Sequence, residues 1–450
     1  MSLFRNHREL TSHGDTALRG VALEVASAGL AALDPGPAVD RFLHREGGDL
    51  VVDGRRYSLD RRVVVFGAGK ASLRIAQRVE KICGAAVDEG IVVVRRGEGG
   101  PLRTLALVEA DHPLPTEASL FAGEAVLELA GTLGPDDLAI CCVTGGSSAL
   151  LSVPPSGVSF GAKRDLHDLL LRSGASIGEM NAVRKHVSQL KGGRLAARIA
   201  PAEIINLTVS DVIGGALDLI TGPTVPDTTT AADAIGVLRG HDLWSRVAPS
   251  IRAHLESPEA CSPDLSDVGL HTTILITGDA ACAAMVETAA ERGFGSHVLS
   301  TTFDTEATDT GRAVAAAARK CRATGDPLDP PCVLVGCGGE STVALKSVGD
   351  VLGEGGPNQE AALVAALNLE PGDPIVVLAM DTDGSDGGTD HAGALIDGGT
   401  VLRAAEAGTD PQEHLLAHTS GRLLGKLGDL LVTGPTGTNV NDLFVVVVGR

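Results

Sequence analysis

The stretch "VVVFGAGKAS", residues 63–72, decides how the rest of the chain is read. A run of apolar β-formers enters Gly67, Ala68 and Gly69, and Lys70 follows at once. The pattern predicts a buried strand, a tight glycine turn and the start of a helix over "SLRIAQRVEKIC". A P-loop would need Gly, four residues, then Gly-Lys-Ser/Thr. Position 64 is Val and Ala71 follows Lys70, so that motif is absent. A dinucleotide fingerprint fits Gly67 and Gly69, but Ser72 holds the third glycine position and Lys70 sits awkwardly in it. Taken alone, the stretch leaves cofactor binding and a plain strand–helix turn both open.

Further buried strands are expected at "GIVVVRRG", "AICCVTGG" (139–146) and "EIINLTVSD" (203–211), with helical patterns between the last two. Such alternation implies crossovers and a largely parallel sheet. In such sheets, ligands gather at the C-terminal ends of strands. A second alternating set is expected to begin at "HTTILITGD" (271–279) and to run through "PCVLVGCGGEST" (331–342) and "PIVVLAMDTDGSDG" (374–387) to "LFVVVVGR".

Composition narrows the class. The 450 residues are enough for two to three domains, and 44% are hydrophobic while only 2% are aromatic, so the cores must be built from Ala, Val, Leu and Ile. A formal charge of −20 repels phosphate backbones, which argues against nucleic-acid binding. There is neither a basic amphipathic stretch nor an apolar run of about 18 residues, so no membrane association is expected. The eight cysteines form no C-x-x-C and mostly sit in apolar surroundings, as small core residues in a reducing compartment would. "MSLFRNHREL" carries no apolar core of signal-peptide length, and a cytoplasmic location is expected. Homo-oligomer formation is left open.

Several stretches could carry chemistry. In "VTGGSSALL" (143–151), Gly145, Gly146, Ser147 and Ser148 can present backbone N–H groups to an anion, or form an ordinary strand–helix loop. "MNAVRKHVSQLKGGRL" (180–195) places Arg184, Lys185, Lys191 and Arg194 within a few turns, unusual in so acidic a chain, and suits an anionic ligand. Asp211 in "TVSDVIGG" could activate a hydroxyl, hold Mg²⁺ or cap a helix. Asp381, Asp383, Asp386 and Asp390 look superficially like a calcium loop but lack its distant Glu, so loop capping is the plainer reading.

Together these stretches resemble the class II glycerate kinases, which join an N-terminal domain of the glycerate-kinase/tartrate-utilisation type to a C-terminal MOFRL domain. The resemblance is carried, in order, by "GAGKAS", "DHPLPTE", "TGGSSALL", "MNAVRKHVSQLKGGRLA", "SDVIGG…TGPTVPD", "GGEST", "GGPNQE", "DGSDG" and "GPTGTNVNDL". It implies two three-layer α/β domains: a Rossmann-like one with a largely parallel sheet over 1–235, and one over 236–450 that includes the MOFRL region from about 330 to 449, with the active-site cleft between them. It implies ATP-dependent phosphorylation of D-glycerate to 2-phosphoglycerate with Mg²⁺ or another divalent cation. Lys70 and Asp211 match the family's G-x-G-K lysine and S-D-V aspartate, and are expected to be catalytic.

The chemistry of the residues adds further expectations. Gly67, Gly69, Gly145, Gly146, Ser147 and Ser148 would receive phosphate oxygens, and Arg184, Lys185 and Arg194 would hold the substrate carboxylate. The metal ligands are unassigned, Asp211 being one candidate. The chain departs from the family pattern at Gly215-Ala216, where Asp-Asp is common, at Ser147, often Gly, and at Pro357, commonly Arg. Gly67, Gly69, Arg95 and Arg96 would also suit an NAD(P)-dependent hydroxypyruvate or tartronate-type reductase, and Pro357 a kinase for a related acid such as erythronate or a non-catalytic sugar-acid sensor.

Overall fold

Every residue of Val63–Ala68 is buried, because the segment is apolar or glycine throughout and has a strand on each side. Glu89–Arg95 and Leu138–Val143 flank it, both parallel, with Ala68 opposite Val93 and Val143. Ala106–Ala110 continues the sheet beyond Glu89–Arg95, and Glu203–Val209 continues it beyond Leu138–Val143, again in parallel. Leu270–Ile276 completes six strands beside Glu203–Val209. The chain thus builds outward in one direction from Val63–Ala68, then returns to build in the other. The strand order reverses between Val63–Ala68 and Leu138–Val143.

Right-handed crossovers running in opposite directions place Ser72–Cys83 and Glu117–Ala130 on opposite faces of this sheet. Strand alternation agrees. Val64, Phe66 and Ala68 share a cluster with Ala122, Val126 and Ala130, joined by Leu195, Ala196 and Ile199 from Arg194–Ile199. Helices Phe160–Leu171, Ile177–His186, Ala231–Gly240 and Pro249–Leu255 form a separate apolar cluster through Leu170, Val183, Leu238 and Ile251.

The computed structural model describes residues 3–209, 222–303, 305–339, 341–343 and 354–450. The chain divides into two compact units, Pro35–Leu275 and Met1–Asp34 with Ile276–Arg450. This differs from the expected division at 235/236. The Leu270–Ile276 strand belongs to the first sheet rather than opening a second, and the Ile204 N–H already reaches Gly269 O at 2.8 Å.

At the N-terminus, helix Thr16–Ala32 packs on Gly278–Glu291 and on the Asp442–Val448 strand. Arg19, fully buried, is bound to Asp397 at 2.6 Å and Asp429 at 2.8 Å. A buried guanidinium needs such partners, and these lie near the chain's other end.

In that second unit the strand order is Gly295–Phe303, Cys332–Gly338, Asp442–Val448, Ile375–Asp381, Gly393–Asp397 and Leu430–Leu431. Only the first pair is parallel. The terminal strand lies in the middle, which explains its unbroken apolar run: Leu443 through Val448 are all buried. Helix Pro357–Leu367 is buried from Asn358 to Ala366. An antiparallel sheet of Leu43–Glu46, Asp49–Val52 and Arg55–Ser58 adds to the first unit and was not foreseen.

Candidate active site

The two glycine loops meet where the strand order reverses. Lys70 N–H donates to Gly145 O at 2.9 Å, Ala71 N–H to Thr144 Oγ1 at 3.1 Å, and Thr144 N–H to Ala68 O at 3.0 Å. The approach is too close for side chains. Gly69 has φ +126°, and a Cβ there would strike Thr144 and Gly145. Gly146 has φ +88°, and its Cβ would stand 3.3 Å from Lys70 Cγ and 3.6 Å from the His112 ring. Lys70 and His112 therefore border the same glycine. His112 was visible in "DHPLPTE" but carried no assigned role.

Two of the expected phosphate ligands play other parts. Gly67 lies inside the strand, where a Cβ would press on Val92 at 3.2 Å, so its smallness serves sheet packing. Ser147 is buried, and its N–H is committed to Thr144 O at 3.3 Å. The helix it begins, Ser147–Leu150, is one turn long. Asp211 falls outside the described residues.

The basic stretch after residue 180 separates into two roles. Lys185 Nζ is 2.5 Å from Asp227 Oδ1 in a buried pair. Burial alone would raise the Asp227 pKa, but hydrogen bonds from Lys185, Ser262 and Thr229 hold it below the ordinary carboxylate value. Arg194 spends its guanidinium on the carbonyls of Lys185, Lys191, Ala260 and Cys261, at 2.8–3.3 Å. Both residues are therefore engaged in holding their own loops.

Arg184 is different. Its Nη1 meets Asn181 Oδ1, at 3.3 Å, and its buried Nε has no hydrogen-bond partner among the described residues. It lines a cavity of about 20 Å³ with Lys163, Lys191, His167, Ser148 and Ser152. Lys191 Nζ donates to Ser148 O and Leu151 O at 2.8 and 2.9 Å, and Lys163 Nζ to Val153 O at 2.9 Å. Burial, then the Arg184 charge, pushes Lys191 down to about 7. Burial with Lys191 and Arg194 nearby lowers Lys163 as well, and burial beside Arg184, Lys191 and Lys163 takes His167 down to about 4. Lys163 lies in "KRDLHDLLLRSG", where helical spacing alone did not distinguish it from a solvated lysine.

In the other unit, three of the quoted motifs converge. Pro357 is the first residue of its helix, and Asp386 caps that helix from a distant loop. It accepts the N–H groups of Asn358 at 3.0 Å and Gln359 at 2.9 Å. Asn358 Nδ2 also reaches Asp442 Oδ1 at 2.6 Å. Burial raises Asp386 to about 7 against these hydrogen bonds. Asp381 and Asp383 accept backbone N–H groups two residues on, as loop-capping carboxylates do. Among the described residues no group of three or more His, Cys, Asp and Glu could hold a metal ion.

Residues 21–256 match the family described as a domain of unknown function, DUF4147, and residues 332–442 match the MOFRL family. A glycerate 2-kinase from Pyrococcus horikoshii is 37% identical, covering 96% of this chain and 97% of that protein. A relative from Agrobacterium vitis, 37% identical over 97% of this chain and 95% of its own, bears the provisional name hydroxypyruvate reductase. The crystal structure of a glycerate kinase from Thermotoga maritima superposes with a TM-score of 0.79 at 35% identity, covering 97% of this chain and 100% of that one.

The fold and the relatives are thus those of an α/β kinase. The chain belongs to the class II glycerate 2-kinase family, a DUF4147 domain followed by a MOFRL domain.

Proposed function

We propose that the protein transfers the terminal phosphate of ATP, supplied as its magnesium complex, to the 2-hydroxyl of D-glycerate, giving 2-phosphoglycerate and ADP. The observation that carries this reading is the meeting of the "GAGKAS" and "TGGSS" loops at the reversal of strand order, with Lys70 against Gly146. Open α/β sheets bind ligands at such reversals. Phosphoryl transfer asks mainly for positioning and charge neutralisation. Lys70 supplies a cation there, and the bare backbone at Gly69, Gly145 and Gly146 lets phosphate oxygens come close. Ser148, at the edge of the same loop, completes that set.

Asp211 is assigned to the acceptor hydroxyl, which it would orient and deprotonate. Mg²⁺ is usually held through substrate phosphates, waters and one or two carboxylates, a role Asp211 can share. Among the described residues no single helix is long and apolar enough to cross a membrane. The eight cysteines are all free thiols, and we place the reaction in the cytoplasm on that ground.

Two incubations test the reading: ATP, Mg²⁺ and D-glycerate with ADP release followed, and NADPH with hydroxypyruvate followed by the loss of NADPH absorbance. ADP release without NADPH oxidation is expected. NADPH oxidation without ADP release would replace the kinase by the reductase.

A further inference from the structure

We propose that the cavity between helices Phe160–Leu171 and Ile177–His186 and the Ser148–Ser152 segment is a phosphate-binding site, with Lys163, Arg184 and Lys191 as its cationic ligands. Three basic side chains face this small space, and no carboxylate among the described residues lines it. The acceptors that hold them are neutral: backbone carbonyls for the two lysines and an amide oxygen for Arg184. Among the described residues, the acid that acts on neighbouring His167, Asp168, is itself bound to Arg172 at 3.1 Å.

Lys191 is buried and Lys163 and Arg184 are partly so; cations drawn out of water without an anion repel one another and lose hydration, which is costly unless a ligand repays it. Burial lowers the pKa of Arg184, and burial with neighbouring cations lowers those of Lys163 and Lys191, with no anion opposing among the described residues. A structural ion cluster would show a carboxylate, as Lys185, the next residue along the chain from Arg184, does with Asp227.

The ligand's chemistry follows from the donors. A carboxylate brings one charge and two oxygens. A phosphate brings close to two charges and at least three acceptor oxygens. Lys163, Lys191, the unpartnered Nε of Arg184 and the hydroxyls of Ser148 and Ser152 offer what the second needs. A cavity of about 20 Å³ has room for about one water as it stands, so a phosphate enters only as the lining side chains give way, and a nucleoside is excluded. Inorganic phosphate and the terminal phosphate of a nucleotide share this chemistry. Only the second source rests on the kinase reading.

The test uses the full chain and inorganic phosphate, followed by calorimetric titration and by melting temperature. Native protein should bind phosphate and melt higher with it. Lys163→Met and Arg184→Met should each weaken binding by about 10- to 100-fold, the loss of one charge-assisted contact. Lys163→Met should also melt no lower than native in the absence of phosphate. It relieves repulsion, and Val153 O keeps its bond from the Gln189 N–H at 3.1 Å. A merely structural lysine would give the opposite shift.

Titration in saturating ATP separates the two sources. Competition assigns the cavity to the nucleotide's terminal phosphate, and undiminished binding assigns it to a free phosphate ion. No phosphate binding by the native chain would overturn the proposal, as would unchanged binding by both variants, or an Arg184-dependent response to D-glycerate alone. ADP release is measured on the same samples. Turnover without phosphate binding sinks only the cavity, and binding without turnover sinks only the kinase.

Discussion

Lys185 and Asp227 form a buried ion pair, 2.5 Å from Nζ to Oδ1, one residue from the differently placed Arg184. The pair anchors the end of helix Ile177–His186 to the segment that also holds Thr229 and Ser262 through Asp227. Lys185→Met should therefore destabilise the fold, by about 3–5 kcal/mol, because it strands a buried carboxylate. Urea unfolding would show it. Normal stability with lost substrate affinity would make Lys185 a ligand instead. The pH dependence has a definite sign. The Asp227 pKa is lowered in the fold from 3.8, so the pair's contribution is present above about pH 4 and is lost as pH falls through the lowered value.

Arg19 is the corresponding anchor of the other unit. Arg19→Met should lower the urea midpoint strongly, since Asp397 and Asp429 keep only Arg403 among the guanidinium partners described. Burial would raise Asp397, yet Arg19 and Arg403 hold it at about 2. The network should therefore persist in acid down to the region between about pH 4 and pH 2 and fail below it. Unfolding of the native chain already at about pH 5, with Arg19→Met melting like native, would contradict this.

How much of this was legible in the residues varies with range. The strands at Val63–Ala68, Leu138–Val143 and Asp442–Val448 were, because a strand buried on both faces must be apolar throughout. The division of the chain was not. Arg19 and its partners are 378 and 410 residues apart, and no local pattern announces so distant a pairing. The strands at Leu43–Glu46 and Arg55–Ser58 expose most of their side chains and carry little apolar alternation, so nothing in the sequence marks them as strands. In the basic stretch, composition pointed to an anion. It could not tell that Lys185 and Arg194 are spoken for while Lys163, from another helix, joins Arg184 and Lys191.

Gly146 tests the loop geometry without removing a charged group. Gly146→Ala places a Cβ at φ +88° and 3.3 Å from Lys70 Cγ. The backbone strain should cost about 1–2 kcal/mol, and the displaced lysine should lower kcat. A variant with native turnover and native melting would show that the two loops do not constrain each other.

Pro357 bears on substrate choice. Its helix is capped by Asp386, through Asn358 and Gln359, and no N–H of residue 357 takes part. Pro357→Arg should thus fold normally, since the first helical position demands no donor. Its effect should fall on KM for D-glycerate more than on kcat. A native chain inert on D-glycerate but active on a four-carbon acid such as erythronate would redirect the substrate assignment.

Lys70 is assigned the charge neutralisation on which transfer depends. Lys70→Met should reduce kcat by about 10²–10³, the cost of one preorganised electrostatic contact, with an unchanged melting curve. Near-native turnover would make Lys70 a packing residue of the loop.

The position of the new phosphate is the most direct test of the central claim. The protein is incubated with ATP, Mg²⁺ and D-glycerate, and enolase alone is added to the product. Phosphoenolpyruvate should form at once, with no mutase present, because the phosphate is on the 2-hydroxyl. A signal that appears only after phosphoglycerate mutase is supplied would mean transfer to the 3-hydroxyl, and would contradict the account.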